Sequence, residues 1–113
     1  MHICTMMQGD TYGVFVSLRL RETPVPITPE LVSEIELLVG QQLRKTYSEG
    51  QVLYDSVREC WYFVPTQEET LAMEPGMYEV QVRVKFRNDD HSPVKGVSVG
   101  TLLLKDAVSG EVI

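Results

Sequence analysis

The chain's 113 residues, 43% hydrophobic and 23% charged, make one ordinary globular domain, 1–113, with enough length for a single core and too little for two. A net charge of −6, a pI near 4.8 and no basic run beyond Arg44-Lys45 argue against a nucleic-acid partner, which needs clustered cations to displace counterions from phosphates. No apolar stretch approaches the ~20 residues of a membrane span, and MHICTMMQGD lacks the basic and apolar segments of a signal peptide, so the expected setting is the cytoplasm, without a membrane partner.

Residues 3–8 predict a first strand, stopped by Gly9-Asp10. Residues 12–21 alternate, with Val14, Val16, Leu18 and Leu20 on one face and Phe15, Ser17, Arg19 and Arg21 on the other, the period of a half-buried strand. Glu22-Thr23-Pro24-Val25-Pro26 is a turn, because its two prolines deny a ladder its donors and restrict the residues before them. Residues 33–39 read as a strand with Ser33, Ile35, Leu37 and Val39 opposite Glu34, Glu36 and Leu38. A helix with Thr28 as N-cap and Pro29 at its first position competes with that reading. Gly40 ends the segment. Residues 43–47 and 51–54 suggest a hairpin around Ser48-Glu49-Gly50.

The next strand is 59–64. Thr66 and Glu69 have the spacing of a capping box, which makes 67–72 a single helical turn. Glu74-Pro75-Gly76 reverses the chain, with Gly76 able to take positive φ. The cleanest strand follows, with Tyr78, Val80, Val82, Val84 and Phe86 set against Glu79, Gln81, Arg83 and Lys85. A polar loop at 88–92, a strand at 97–105 and a tail at 106–113 complete the chain. The expected fold is an all-β, immunoglobulin-like antiparallel β-sandwich of seven or eight strands, with one short helical turn near 67–72. Tyr78 stands where such sandwiches hold a corner tyrosine, although a plain core tyrosine fits the position as well.

The residues that carry chemistry are few and scattered. Cys4 and Cys60 precede Trp61, an order that does not match the immunoglobulin disulfide, so two free, buried thiols are expected. With His2 or His91 they are too dispersed for a zinc site. His2 lies near the terminus and His91 in a loop tip, whereas a general base needs a fixed neighbourhood. There is no Gly-rich phosphate loop, GxSxG or HExxH. Glu34 and Glu36 alternate outward, Glu68-Glu69 belong to the helical turn, and no desolvated carboxylate pair emerges. Asn88-Asp89-Asp90 lacks the alternating spacing and distal Glu of a calcium loop and reads as a polar tip. No catalytic, cofactor-binding or metal residue is therefore expected, and no enzyme. What stands out is apolar surface. Phe15 and Leu38 fall on otherwise polar faces, and in Trp61-Tyr62-Phe63 either Tyr62 or the Trp61/Phe63 pair must point away from the core. These five residues are the candidate interface.

An ordered set of motifs also resembles a known family. Gln8-Gly9-Asp10-Thr11 precedes an alternating strand, and Val25-Pro26-Ile27-Thr28 follows it. Phe63–Leu71 (FVPTQEETL), Pro75-Gly76-Met77-Tyr78 and Gly100-Thr101-Leu102-Leu103-Leu104 come after in the same order. Together they resemble the immunoglobulin-like N-terminal domain of upper baseplate proteins of siphophages infecting Gram-positive bacteria, a domain that many stand-alone prophage proteins share. The resemblance spans nearly the whole chain, although the family member of known role continues into a coiled-coil stalk and a receptor-binding partner, whereas this chain stops at Ile113. It implies a virion structural protein of tail, baseplate or neck type, assembled in the bacterial cytoplasm, non-enzymatic, with itself or other phage structural proteins as partners. It brings no catalytic or metal residues with it. The alternative class is a monomeric carbohydrate- or receptor-binding sandwich.

Overall fold

The computed structural model describes residues 2–20, 24–87 and 94–107, with the backbone alone for residues 2 and 94–98. Among the described residues eight strands form: β1 (His2–Met7), β2 (Val14–Val16), β3 (Val32–Val39), β4 (Leu43–Thr46), β5 (Leu53–Asp55), β6 (Cys60–Phe63), β7 (Gly76–Phe86) and β8 (Val94–Lys105). A single helical turn, α1 (Gln67–Ala72), joins β6 to β7. The strands build a five-stranded sheet in the order β1-β8-β7-β3-β4 and a three-stranded sheet in the order β2-β6-β5. The expected all-β sandwich is thus the fold. Its pairs are antiparallel except β1 with β8, which run parallel and lay the first strand along the last.

One core joins the two sheets. Ile35, Leu37 and Val39 of β3 and Val80, Val82 and Val84 of β7 cluster with Val14 and Val16 of β2 and with Trp61 and Phe63 of β6. Alternation explains the selection, since Leu37 lies opposite Val82 and Ile35 opposite Val84, while Glu36 and Arg83 take the other face. Trp61 is fully buried. Its indole Nε1 donates to the Ile27 carbonyl at 2.8 Å, and its ring meets Tyr47 edge-on and Tyr54 at a tilt. The polar edge of the ring is satisfied where its apolar body is most enclosed.

Local chemistry sets the ends of the elements. The capping box at α1 is complete, with Thr66 Oγ1 accepting from Glu69 N and Glu69 Oε1 accepting from Thr66 N. Tyr78 donates its hydroxyl to the Glu74 carbonyl four residues upstream, the hydrogen bond of a corner tyrosine. Gly40, at φ +54, turns β3 into β4, where a Cβ would come within 2.8 Å of the Tyr78 ring.

Several boundaries differ from expectation. The strand predicted at 12–21 pairs only over Val14–Val16. Beyond it Leu18 and Leu20 exchange hydrogen bonds with Ile27 and Val25, so the chain leaves β6 to pair with its own return segment. Both readings of the next stretch hold in part: Pro29–Leu31 is one 3-10 turn entered at Thr28, and Val32–Val39 is the strand. The hairpin predicted around Ser48-Glu49-Gly50 does not form. β4 lies in the five-stranded sheet and β5 in the three-stranded one, so those residues carry the chain across the sandwich. The consecutive strands that do pair antiparallel are β3–β4, β5–β6 and β7–β8. The last strand starts at Val94 and not at 97. The 88–92 loop, with Asn88, Asp89, Asp90 and His91, lies outside the described residues, as do 21–23 and 108–113.

Candidate interaction face

The five candidate residues fall in three places. Trp61 and Phe63 are 0% and 1% exposed and belong to the core, so they are removed from any interface. β6 is the middle strand of the small sheet. Its odd-numbered residues point inward, so parity sends Tyr62 outward. Phe15 lies directly opposite Tyr62 on β2, and Leu53 lies opposite Tyr62 on β5. Leu38 sits half-buried on the outer face of the other sheet, between Arg44 and Gln81, and shares no surface with Phe15.

Phe15, Tyr62 and Leu53 therefore form an apolar row across all three strands of the small sheet. Phe15 is 39% exposed and Leu53 45% exposed, and Val64, two residues beyond Tyr62, is also exposed. The Phe15 and Tyr62 rings stack with centroids 4.9 Å apart, and the Arg58 guanidinium lies over Phe15 at 5.5 Å. Arg58 is aimed by its turn. Asp55 Oδ1 accepts from the Val57 and Arg58 amides, and Glu59 takes φ +55, a left-handed conformation unusual for a side chain other than glycine. The sequence singled out Phe15 and Tyr62 and missed Leu53. A single leucine in a three-residue strand carries no period of its own, and only its register opposite Tyr62 places it in the row.

The outer face of the five-stranded sheet differs. Glu36, only 7% exposed, accepts from both Arg44 and Arg83. Glu34, Glu36, Arg44, Arg83 and Lys85 line an open hollow of about 230 Å³, in which Glu36 pairs with Arg44 and Arg83. Glu36 lies on the outward face, as its alternation predicts, and its two arginines cover it there. Burial opposes the Glu34 carboxylate, yet hydrogen bonds from the Ser48 hydroxyl, the Ser48 amide and the Ile35 amide outweigh it and hold its pKa below the ordinary carboxylate value. Glu34 thereby secures the turn that carries the chain between sheets.

Two of the sequence motifs meet in a clasp. Gly9, at φ +87, donates its amide to Thr70 Oγ1 at 2.8 Å, and that hydroxyl donates to the Asp10 carbonyl. Gln8 Nε2 donates to the Met73 carbonyl, and Gln8 Oε1 accepts from the Ala107 amide. The Gln8-Gly9-Asp10 turn thus binds α1 and the end of β8, so these motifs serve the fold. Cys4 on β1 and Cys60 on β6 are free thiols. Burial pushes both pKa values up, and Asp55 adds to the rise at Cys60. Among the described residues no three His, Cys, Asp or Glu side chains group to hold a metal ion, and no helix is long and apolar enough to cross a membrane. No family model, curated protein or solved structure matches the chain.

Proposed function

We propose that the chain is a structural component of a phage or prophage virion, of tail, baseplate or neck type, that works by protein–protein assembly and has no catalytic role. The partners in this reading are further copies of the chain or other virion proteins, and assembly takes place in the bacterial cytoplasm. The observation that carries the assembly reading is the exposed row Phe15–Tyr62–Leu53, which gives the small sheet an apolar outer face where an isolated sandwich is ordinarily polar. Aromatic residues with a neighbouring arginine are the composition of interface centres. The virion assignment rests on the ordered motifs from Gln8 to Leu104 and on their resemblance to the baseplate domain.

The test is co-expression of the chain with the structural proteins of the phage or prophage that encodes it, followed by purification of the assembled particle. The chain is expected in the particle, and Phe15→Asp is expected to lose it. Absence of the wild-type chain from particles, together with a Phe15-dependent response to glycans, overturns the reading in favour of a monomeric carbohydrate- or receptor-binding module.

A further inference from the structure

On the outer face of the five-stranded sheet, Glu36 of β3 stands between Arg44 of β4 and Arg83 of β7. Burying a carboxylate is unfavourable unless cations reach it, and both arginines do, Arg44 Nε donating at 2.5 Å and Arg83 at 3.3 Å. Each arginine gives Glu36 one of its N–H donors, and the two side chains remain 61% and 57% exposed. Lys85 is the next outward residue on β7 and lies opposite Glu34. Glu34 is engaged elsewhere, since its oxygens accept from the Ser48 hydroxyl, the Ser48 amide and the Ile35 amide. Among the described residues no carboxylate pairs with the Lys85 ammonium. Three cations thus meet two carboxylates around the hollow, a local positive surplus on a chain whose net charge is −6.

We propose that this hollow binds an oxyanion, the carboxylate or phosphate group of a ligand, through the remaining N–H groups of Arg44 and Arg83 and the Lys85 ammonium. The ligand's sign follows from which groups are still without partners. Both carboxylates already accept hydrogen bonds from the protein, whereas the donors outnumber them. A guanidinium offers parallel N–H groups that match two oxygens of a carboxylate or phosphate, and the ammonium adds a point charge. An apolar group would desolvate the same cations without giving them a partner. Glu36 acts from beneath as a positioning residue, holding the two guanidinium groups in place before a ligand arrives and so lowering the ordering cost of binding. Because the cations face water, the affinity belongs in the roughly millimolar range. The hollow lies on the sheet that does not carry the Phe15–Tyr62–Leu53 row, so a failed titration leaves the assembly reading standing.

The experiment titrates the nitrogen-15-labelled full chain with inorganic phosphate and, separately, with glutarate, at constant ionic strength in chloride. Saturable amide shifts are expected at residues 34–36 and 83–85. A response to phosphate alone assigns a phosphate-bearing ligand, a response to glutarate alone a carboxylate-bearing one, and a response to both the oxyanion group itself. Lys85→Gln removes an ammonium that has no protein partner to lose, and it should weaken binding by about fivefold or more. Arg44→Gln takes its place if thermal unfolding shows that Lys85→Gln melts early. Lys105→Gln, a change of the same charge beside Met7 at the other end of the sheet, should leave binding as it was. Shifts that fail to saturate with either probe overturn the proposal. So does full binding by Lys85→Gln, or an equal loss in Lys105→Gln, which would mark a response to net charge alone.

Discussion

Val82 and Arg83 are chain neighbours with opposite fates, and they give the sharpest test of register. Val82 is buried against Leu37, and truncation to alanine should cost roughly 2–4 kcal/mol by lost burial and the cavity left behind. Arg83 is largely exposed and shares Glu36 with Arg44, so Arg83→Ala should cost well under about 1 kcal/mol. The double change Arg44→Ala/Arg83→Ala should exceed the sum of the singles, since it leaves a buried carboxylate without a cation. Urea midpoints of the four variants test this, and equal costs at 82 and 83 would contradict the strand register. Thr46 presents the opposite case. Its hydroxyl is buried with no hydrogen-bond partner among the described residues, although its amide and carbonyl are held by the Gln51 side-chain oxygen and backbone. Thr46→Val is isosteric and removes an unsatisfied polar atom, so it should leave stability unchanged or raise it by up to about 1 kcal/mol. A loss of that size would show that the hydroxyl has a partner.

At the scale of elements, α1 is too short to stand on propensity and is held from outside. Its capping box closes one end, Thr70 locks it to Gly9 and Asp10, and Glu69 pairs with Lys45 of β4 across the sandwich edge. Burial works against the Glu69 carboxylate, but Lys45 and the Thr66 amide outweigh it, so its pKa falls below the ordinary value of 4.5, as it does for Glu34. The sign follows. The unfolded chain binds protons at these sites before the folded one does, so their contribution is complete above the ordinary carboxylate pKa. It is lost as the pH falls through the depressed folded values. Glu69→Gln and Glu34→Gln should each lower stability at neutral pH and flatten the acid limb, measured as urea midpoints on acidification. An unaltered acid limb in both would refute the assignment. Thr70→Val should cost about 1–3 kcal/mol, because it leaves the Gly9 amide unpaired, whereas Thr70→Ser should cost much less.

Across the whole molecule, legibility followed one-sidedness. The β7 register was readable because five apolar residues alternate with four charged or polar ones and only one face can be buried. Trp61-Tyr62-Phe63 has three aromatics in a row, so its parity was open until the burial of Trp61 and Phe63 decided it. The crossing at 48–50 was misread because a hairpin and a passage between sheets use the same turn residues. What decides between them lies outside the segment, in Glu34 of β3 holding Ser48. The parallel lie of β1 on β8 joins strands from the two ends of the chain, a contact that no local period reports. The same long-range wiring sets the cooperativity of unfolding. Trp61, the sole tryptophan, bonds the Ile27 carbonyl and packs between Tyr47, just past β4 of the large sheet, and Tyr54, in β5 of the small one. Its environment therefore depends on both sheets, and the single core gives neither sheet a separate stability. Unfolding of the subunit should be two-state, with Trp61 fluorescence and far-ultraviolet circular dichroism giving coincident urea transitions. Removing the indole donor in Trp61→Phe should destabilise by at least about 1–3 kcal/mol through the unpaired Ile27 carbonyl, shifting the circular dichroism midpoint without splitting the transition. If fluorescence changes at a lower urea concentration than the strand signal, the small sheet opens on its own, and the description of one shared core fails.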